Sequence, residues 1–438
     1  MQLRRSTSLT AGLSAAVGLA LVVAAMVVPL VWGRDVRVHW PPLHADWHPR
    51  LNPELVLLII VGLALWAVLP WVAAKASWAA TVLLSTVGSW LWSMVLALYD
   101  GRYGLSRVYE RVGEYLYDAQ RIGDIGTAVA EFVDRIPYAV YPENWKVHVA
   151  GHPPGSLISF VLLDRIGISD PFWVSVTIVT LGATGVAAVL LTLDLLGSRA
   201  LARRAAPWVA LGPVVVWAGH GETLYAAVAA WGVFLLALAC TRGTRARLSG
   251  LILAVAGGLV LGWSLFLSYG LVLFGLVPLA VFALTRAWWL LPWAATGVAA
   301  VVAAFWVAGF TWWDAYPVLR ERYYDGVGGE RPYGYWVWAD FAAWTFAVGL
   351  VTWAALPRTW SALRERVPLA VLASAALTSI AIASLTALSK AEVERIWLPF
   401  TLWILPIAAF VSDRWRRPLL LSQVVLAVLL QTLLITRW

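Results

Sequence analysis

Six short stretches hold the side chains of this chain that are best suited to chemistry. Asp100 closes a long apolar run in "LALYDGRYGL", and Asp118 and Asp124 lie in "EYLYDAQRIGDIG". His148 and His152 flank "VAG" ahead of Pro153-Pro154-Gly155. His220 and Glu222 sit in "WAGHGETLY", a tight link between two apolar runs. Lys390, Glu392, Glu394 and Arg395 fall within "SKAEVERIW", and Arg320, Arg322, Arg331 and Tyr333 within the aromatic-rich "WWDAYPVLRERYYDGVGGERPYGYW". A carboxylate beside a hydroxyl can take its proton as a general base. Guanidinium and ammonium groups can hold a phosphate and stabilise it as it leaves. Tyr and Trp rings stack on sugars, and the same rings also make the ordinary aromatic belt of a membrane interface.

Each stretch also has a plainer reading. Asp100-Gly101 reads equally as a helix stop. Asp118 and Asp124 read as solvated loop acids, and the two histidines as interface residues bonded to backbone. The Lys390–Arg395 segment can satisfy itself through local ion pairs. Glu222 resists the plain reading most, because an ionisable group near the membrane edge is costly and points to a site or pathway. His39, His44 and His48 include an i, i+4 pair, but Pro41, Pro42 and Pro49 argue against one regular helix, so no metal site is expected there. No phosphate loop, dinucleotide-binding glycine motif, nucleophile elbow or H-E-x-x-H occurs. Cys240 is the single cysteine, which leaves no disulfide framework.

The elements that must position these residues are set by composition. Apolar residues make up 61% of the 438 and charged ones 13%, which excludes a soluble enzyme. The expected fold is an all-α polytopic membrane protein with about thirteen spans, near 9–33, 53–73, 78–99, 172–196, 206–219, 223–241, 249–266, 268–285, 287–311, 337–356, 367–387, 399–412 and 418–436. The run from Leu9 to Trp32 is too long for a signal-peptide core and reads as a retained first span. Residues 1–77 are expected to form an N-terminal hairpin and 78–438 the main transmembrane module.

Arg4 and Arg5 place the N-terminus on the cytoplasmic side. The links then expected to face the cytoplasm carry sixteen basic residues, these two included, against Glu365, Asp413 and the border residue Asp194. The net charge of +8 is thus read as the positive-inside bias of a protein whose partner is the lipid bilayer, and no nucleic acid is implied. If 153–167 crossed the membrane, the Arg-rich links at 197–205 and 242–248 would face outward. That stretch is therefore expected to lie along the outer interface, within a large outer loop, 100–171, that carries interfacial helices. The stretches 34–52, 312–336 and 388–398 join it on the extracytoplasmic face.

In order and sidedness these residues resemble the GT-C superfamily of polyprenyl-phosphate-dependent membrane glycosyltransferases. An outer loop bears an early acid, Asp100 with Asp118 behind it. The loop ends in His152-Pro153-Pro154-Gly155 ahead of a short interfacial helix. A later link carries an acid in a small-polar context, Gly219-His220-Gly221-Glu222. The blocks Arg320–Trp336 and Ser389–Phe400 are similar to those of actinobacterial members. Two departures stand out: the acidic loop follows the third span instead of the first, and Glu222 replaces the more usual Asp. The resemblance implies a polyprenyl-phosphate sugar donor, a glycan or glycolipid acceptor and transfer with inversion. It casts Asp100 as base with Asp118 as rival, and Arg331 and Arg395 as phosphate ligands. His152 would shape the site, and Glu222 would orient the acceptor or a divalent cation. A carrier of lipid-linked glycans and a non-catalytic envelope scaffold are the alternative classes.

Overall fold

The computed structural model describes residues 8–242, 247–387 and 389–436. The described residues fold almost wholly into helices, and ten helices among them are long and apolar enough to cross a membrane. They are Leu9–Trp32, Glu54–Lys75, Trp78–Ser106, Pro171–Leu195, Gly221–Arg242, Arg247–Leu265, Trp288–Val307, Tyr333–Arg364, Pro368–Leu385 and Asp413–Leu433. The protein is therefore an all-helical, multi-pass membrane protein. Several helices start on side-chain caps: Ser77 accepts from the Ala80 N–H, and Asp170 accepts from the N–H groups of Phe172 and Trp173, with Pro171 in the first turn.

The other three apolar runs form broken elements. Arg199–Ala210 gives way to a 3-10 turn at Pro213–Trp217, a 3-10 turn at Tyr269–Gly275 precedes Leu276–Thr285, and Leu398–Ile404 tightens into the 3-10 segment Leu405–Phe410. Prolines explain the first and third breaks. Pro213 and Pro406 each remove a backbone donor where an α-helix needs one, and the chain continues with tighter bonding. Residues 398–410 are buried throughout, where neighbouring protein can accept irregular backbone that lipid cannot.

Polar cross-links sort the connecting segments into two ends of the bundle. At one end Arg203 donates to the carbonyls of Ala73 and Ala76, Arg204 to those of Ala409 and Val411, and Arg358 to that of Phe410. At the other end the long loops meet. The strand Ala45–Trp47 pairs antiparallel with Leu434–Thr436, which joins the first loop to the end of the last helix. The first helix packs along Tyr333–Arg364, and Glu54–Lys75 packs on Trp78–Ala97, Arg199–Ala210 and Asp413–Leu433. Tyr333–Arg364 is bent at Gly349, whose φ of +67° is a left-handed value, and the Gln423 side chain occupies the place a Cβ would need.

The helix Pro154–Arg165 has both ends at the loop end of the bundle. The Ser156 N–H donates to the Phe266 carbonyl at 3.2 Å, and Arg165 donates to the Gly123 carbonyl at 2.9 Å. Its twelve residues rise only about 18 Å, short of a roughly 30 Å hydrocarbon core. Gly155 allows the close approach, since a Cβ there would stand 2.6 Å from the Phe266 oxygen. Gly155→Ala is expected to cost about 1–3 kcal/mol by overpacking. Thermal unfolding in detergent, read with a thiol-reactive dye on the lone buried Cys240, measures it.

Candidate functional site

Four segments far apart in sequence converge at the loop end: residues 107–118, 147–152, 218–222 and 389–396. At their centre is Arg395, 4% exposed. It donates to the Glu222 carboxylate and, through its second terminal nitrogen, to Glu392 Oε2 at 2.9 Å. Glu392 Oε1 accepts from Arg331 at 2.7 Å and faces His44 Nδ1 at 3.6 Å. Arg331 also donates to the Lys390 carbonyl at 2.6 Å, while Lys390 Nζ donates to the carbonyls of Gly328 and Arg331. Burial pushes the Glu392 carboxyl upward, but His44 and the two guanidiniums outweigh it and hold the group below the usual carboxylate range. Burial alone would lower the Arg395 pKa; Glu222 and Glu392 raise it instead.

The backbone that presents Glu392 is strained. Ala391 and Glu392 have φ of +68° and +64°, left-handed values that cost a side-chain-bearing residue of order 1–3 kcal/mol each. The turn is held by Asp340, fully buried in the Tyr333–Arg364 helix, whose Oδ1 accepts the Ala391 N–H at 3.0 Å. Glu394, next along, is 1% exposed, and burial followed by repulsion from Glu392 pushes its carboxyl up to about 7.

Beside this cage lies a second pair. His148 Nε2 is 3.2 Å from Glu114 Oε1. Burial pushes the Glu114 carboxyl up to about 8, against the pull of Arg395. Burial, with Arg395, takes His148 down to about 3. At neutral pH the pair therefore holds its proton on the carboxyl, which donates to a neutral imidazole. The Val147–Ala150 turn places His148, and His152 follows with Nδ1 2.8 Å from the His148 carbonyl. That contact makes Nδ1 the donor and leaves Nε2 as an acceptor. The His152 ring stands edge-on to Tyr115 at 5.6 Å and is tilted against Tyr225 at 6.0 Å. Burial and the cations Arg395, Arg107 and Arg111 keep His220 neutral as well.

Of the residues singled out in the sequence, His148, His152, His220, Glu222, Arg331, Lys390, Glu392, Glu394 and Arg395 come together here. Asp100 is held by Arg50 at 2.7 Å, which also donates to the carbonyls of Gln431 and Leu434, and Arg107 links it toward His220 at 4.0 Å from the carboxylate. Asp118 accepts from the Lys146 N–H at 2.9 Å, and burial pushes its pKa up. Asp124 caps a short helix through the Thr127 N–H at 2.7 Å. Arg322 is buried under the carbonyls of Ile136 and Trp145, Arg320 is exposed over Tyr324, and Tyr333 donates to the Leu385 carbonyl. Glu114, His44 and Asp340 are the residues that sequence reasoning passed over. Glu114 sits in a loop of ordinary charge, and only its burial distinguishes it. Asp340 in "WVWADFAAW" carried a usable signal, an acid inside an apolar span.

Among the described residues, no group of three or more His, Cys, Asp or Glu side chains is placed to hold a metal ion. No family model, no curated protein and no solved structure matches the chain.

Proposed function

We propose that this protein is a membrane glycosyltransferase that moves a sugar from a polyprenyl-phosphate donor to a hydroxyl of an envelope glycan or glycolipid at the extracytoplasmic face, using a GT-C-like bundle of thirteen crossings. The observation that carries the proposal is the gathering, at one end of the bundle, of a buried carboxyl–imidazole pair and a guanidinium cluster. Glu114 and His148 supply the first, Arg331 and Arg395 the second. In the reaction the acceptor oxygen bonds to the anomeric carbon, the bond from that carbon to the phosphate oxygen breaks, and the hydroxyl proton passes to a carboxylate. The family resemblance casts Asp100 as that carboxylate, with Asp118 as rival. The geometry favours Glu114, since Asp100 is tied to Arg50 and Asp118 caps the Lys146 N–H. Arg331 and Arg395 both grip Glu392, and a phosphate carrying more charge can compete for the same two forks.

The broken elements at 199–217, 269–285 and 398–410 favour a second reading, a carrier of lipid-linked glycans, because carriers build sites on discontinuous helices. The paired charges, however, gather at one end of the bundle, which suits surface chemistry. Purified protein in liposomes, given radiolabelled mannosyl, arabinosyl, glucosyl and galactosyl polyprenyl phosphates, decides between them. Label transferred to an acceptor supports the enzyme. Movement of intact donor between leaflets without transfer supports the carrier. Arg331→Gln is expected to cut transfer by about 10²–10³-fold, as removal of one charge-stabilising donor does elsewhere.

A further inference from the structure

At the opposite end of the bundle from the carboxylate–guanidinium cluster, three helices stand apart around a recess of about 340 Å³. Its walls are Pro70 and Ala74 of Glu54–Lys75, Pro207 and Trp208 of Arg199–Ala210, and Arg416 and Arg417 of Asp413–Leu433. Each of these helices has a proline in its interior at this level: Pro70, Pro207 and Pro418. An interior proline removes one ladder hydrogen bond and pushes the preceding turn aside. The recess lies beside these three prolines, between helices that run on through them.

The recess is basic. Arg416 and Arg417 line it with Asp413 as the one lining acid, so the charge of the lining is +1, and Arg204 pairs with Asp413 from beside it. Asp413 sits at the rim, 75% exposed, 2.9 Å from Arg204 and 3.4 Å from Arg416. Arg204 is otherwise committed to the carbonyls of Ala409 and Val411. Arg417 lies over the Trp66 ring, while the Trp66 indole N–H donates to the Arg417 carbonyl at 3.0 Å. The Arg416 and Arg417 forks are thus anchored on one side and keep donors for a ligand. The floor is apolar, with Pro70, Trp208 and Leu420. A cavity of this volume is at the small end of ligand sites, roughly 300–1,000 Å³.

We infer that this recess binds a phosphate group through Arg416 and Arg417, either the headgroup of an anionic phospholipid or a free phosphate. Planar guanidinium forks suit phosphate oxygens in pairs. Basic gaps between membrane helices attract lipid phosphates over their surroundings. The apolar floor suits the glycerol and first methylenes of a lipid, and the inference stands whatever reaction the other end performs.

The test uses the full-length protein in detergent and native mass spectrometry with phosphatidylglycerol, phosphatidylcholine or inorganic phosphate. Wild type is expected to retain phosphatidylglycerol and to lose phosphatidylcholine, whose phosphate is already neutralised. Arg416→Ala with Arg417→Ala should weaken retention about thirtyfold, and Arg414→Ala, outside the recess, should not. Displacement of phosphatidylglycerol by inorganic phosphate at equal concentration would support a free-phosphate site in the same recess. Retention unchanged in the double variant, or lost equally in Arg414→Ala, would overturn the assignment. Thermal unfolding followed at Cys240 shows that each variant is folded before its lipid is counted.

Discussion

Glu114→Gln is expected to lower sugar transfer by about 10²–10⁴-fold, the usual contribution of a positioned acid–base group. The carboxyl is the base only when deprotonated, so wild-type transfer should rise with pH through about 8, and the Gln variant should lack that limb. Undiminished transfer in the variant would remove Glu114 from the reaction.

The same substitution has a readout that needs no substrate. The folded pKa of Glu114 is raised, so the folded state keeps a proton that the unfolded state gives up near pH 4.5. The stability this provides is full below that pH and is lost as pH rises toward about 8. His148 is depressed to about 3 and acts in the opposite sense, with its contribution complete above pH 6.5. Glu394 behaves like Glu114 but finishes near pH 7. Between pH 7 and 8 the fall belongs mainly to Glu114, at about 1 kcal/mol over the unit. Unfolding at Cys240 should show that fall in wild type and a much shallower one, left by Glu394, in Glu114→Gln. Equal slopes would mean that Glu114 is ionised throughout.

Replacing Arg395 by Met is expected to be the most damaging single change for stability. The guanidinium neutralises two buried carboxylates, and its loss leaves Glu392 with Arg331 but Glu222 without its ion-pair partner in a site that excludes water. Breaking a buried ion pair in this way costs about 3–5 kcal/mol. The double variant Glu222→Gln, Arg395→Met should regain much of that loss, because Glu392 keeps Arg331 and no buried carboxylate is left without a cation. A double variant as unstable as Arg395→Met alone would mean that packing, and not charge balance, sets the cost. His220 supplies a second check: Arg395 is the largest charge holding its pKa down, so the single variant should let the imidazole protonate at higher pH, visible by NMR of labelled histidine.

Much of the molecule was legible in the chain. A roughly 30 Å hydrocarbon core demands long apolar helices, so spans such as Glu54–Lys75 and Pro171–Leu195 can be read directly. The short, proline-headed Pro154–Arg165 could be recognised as unable to cross, because length and charge sidedness act locally along the sequence. The broken elements at 199–217, 269–285 and 398–410 were visible as apolar runs. Pro213 and Pro406 signalled the breaks in the first and third, while the 3-10 turn at Tyr269–Gly275 had no signal, since apolar composition leaves α and 3-10 turns alike.

The site was legible in its members and in one local pairing, Glu392 with Arg395 three residues on, but not in its long-range pairings. The sequence by itself determined a multi-pass helical protein with acids, histidines and arginines confined to a few loops. Only the tertiary structure decided that Asp100 is taken by Arg50, that Arg395 is shared between Glu222 and Glu392, and that Glu114 lies against His148. The physical reason is distance along the chain. Arg395 and Glu222 are 173 residues apart, and no local rule of charge spacing reaches that far. Burial decides the rest, since a carboxyl such as Glu114 is an ordinary acid until folded protein removes the water around it.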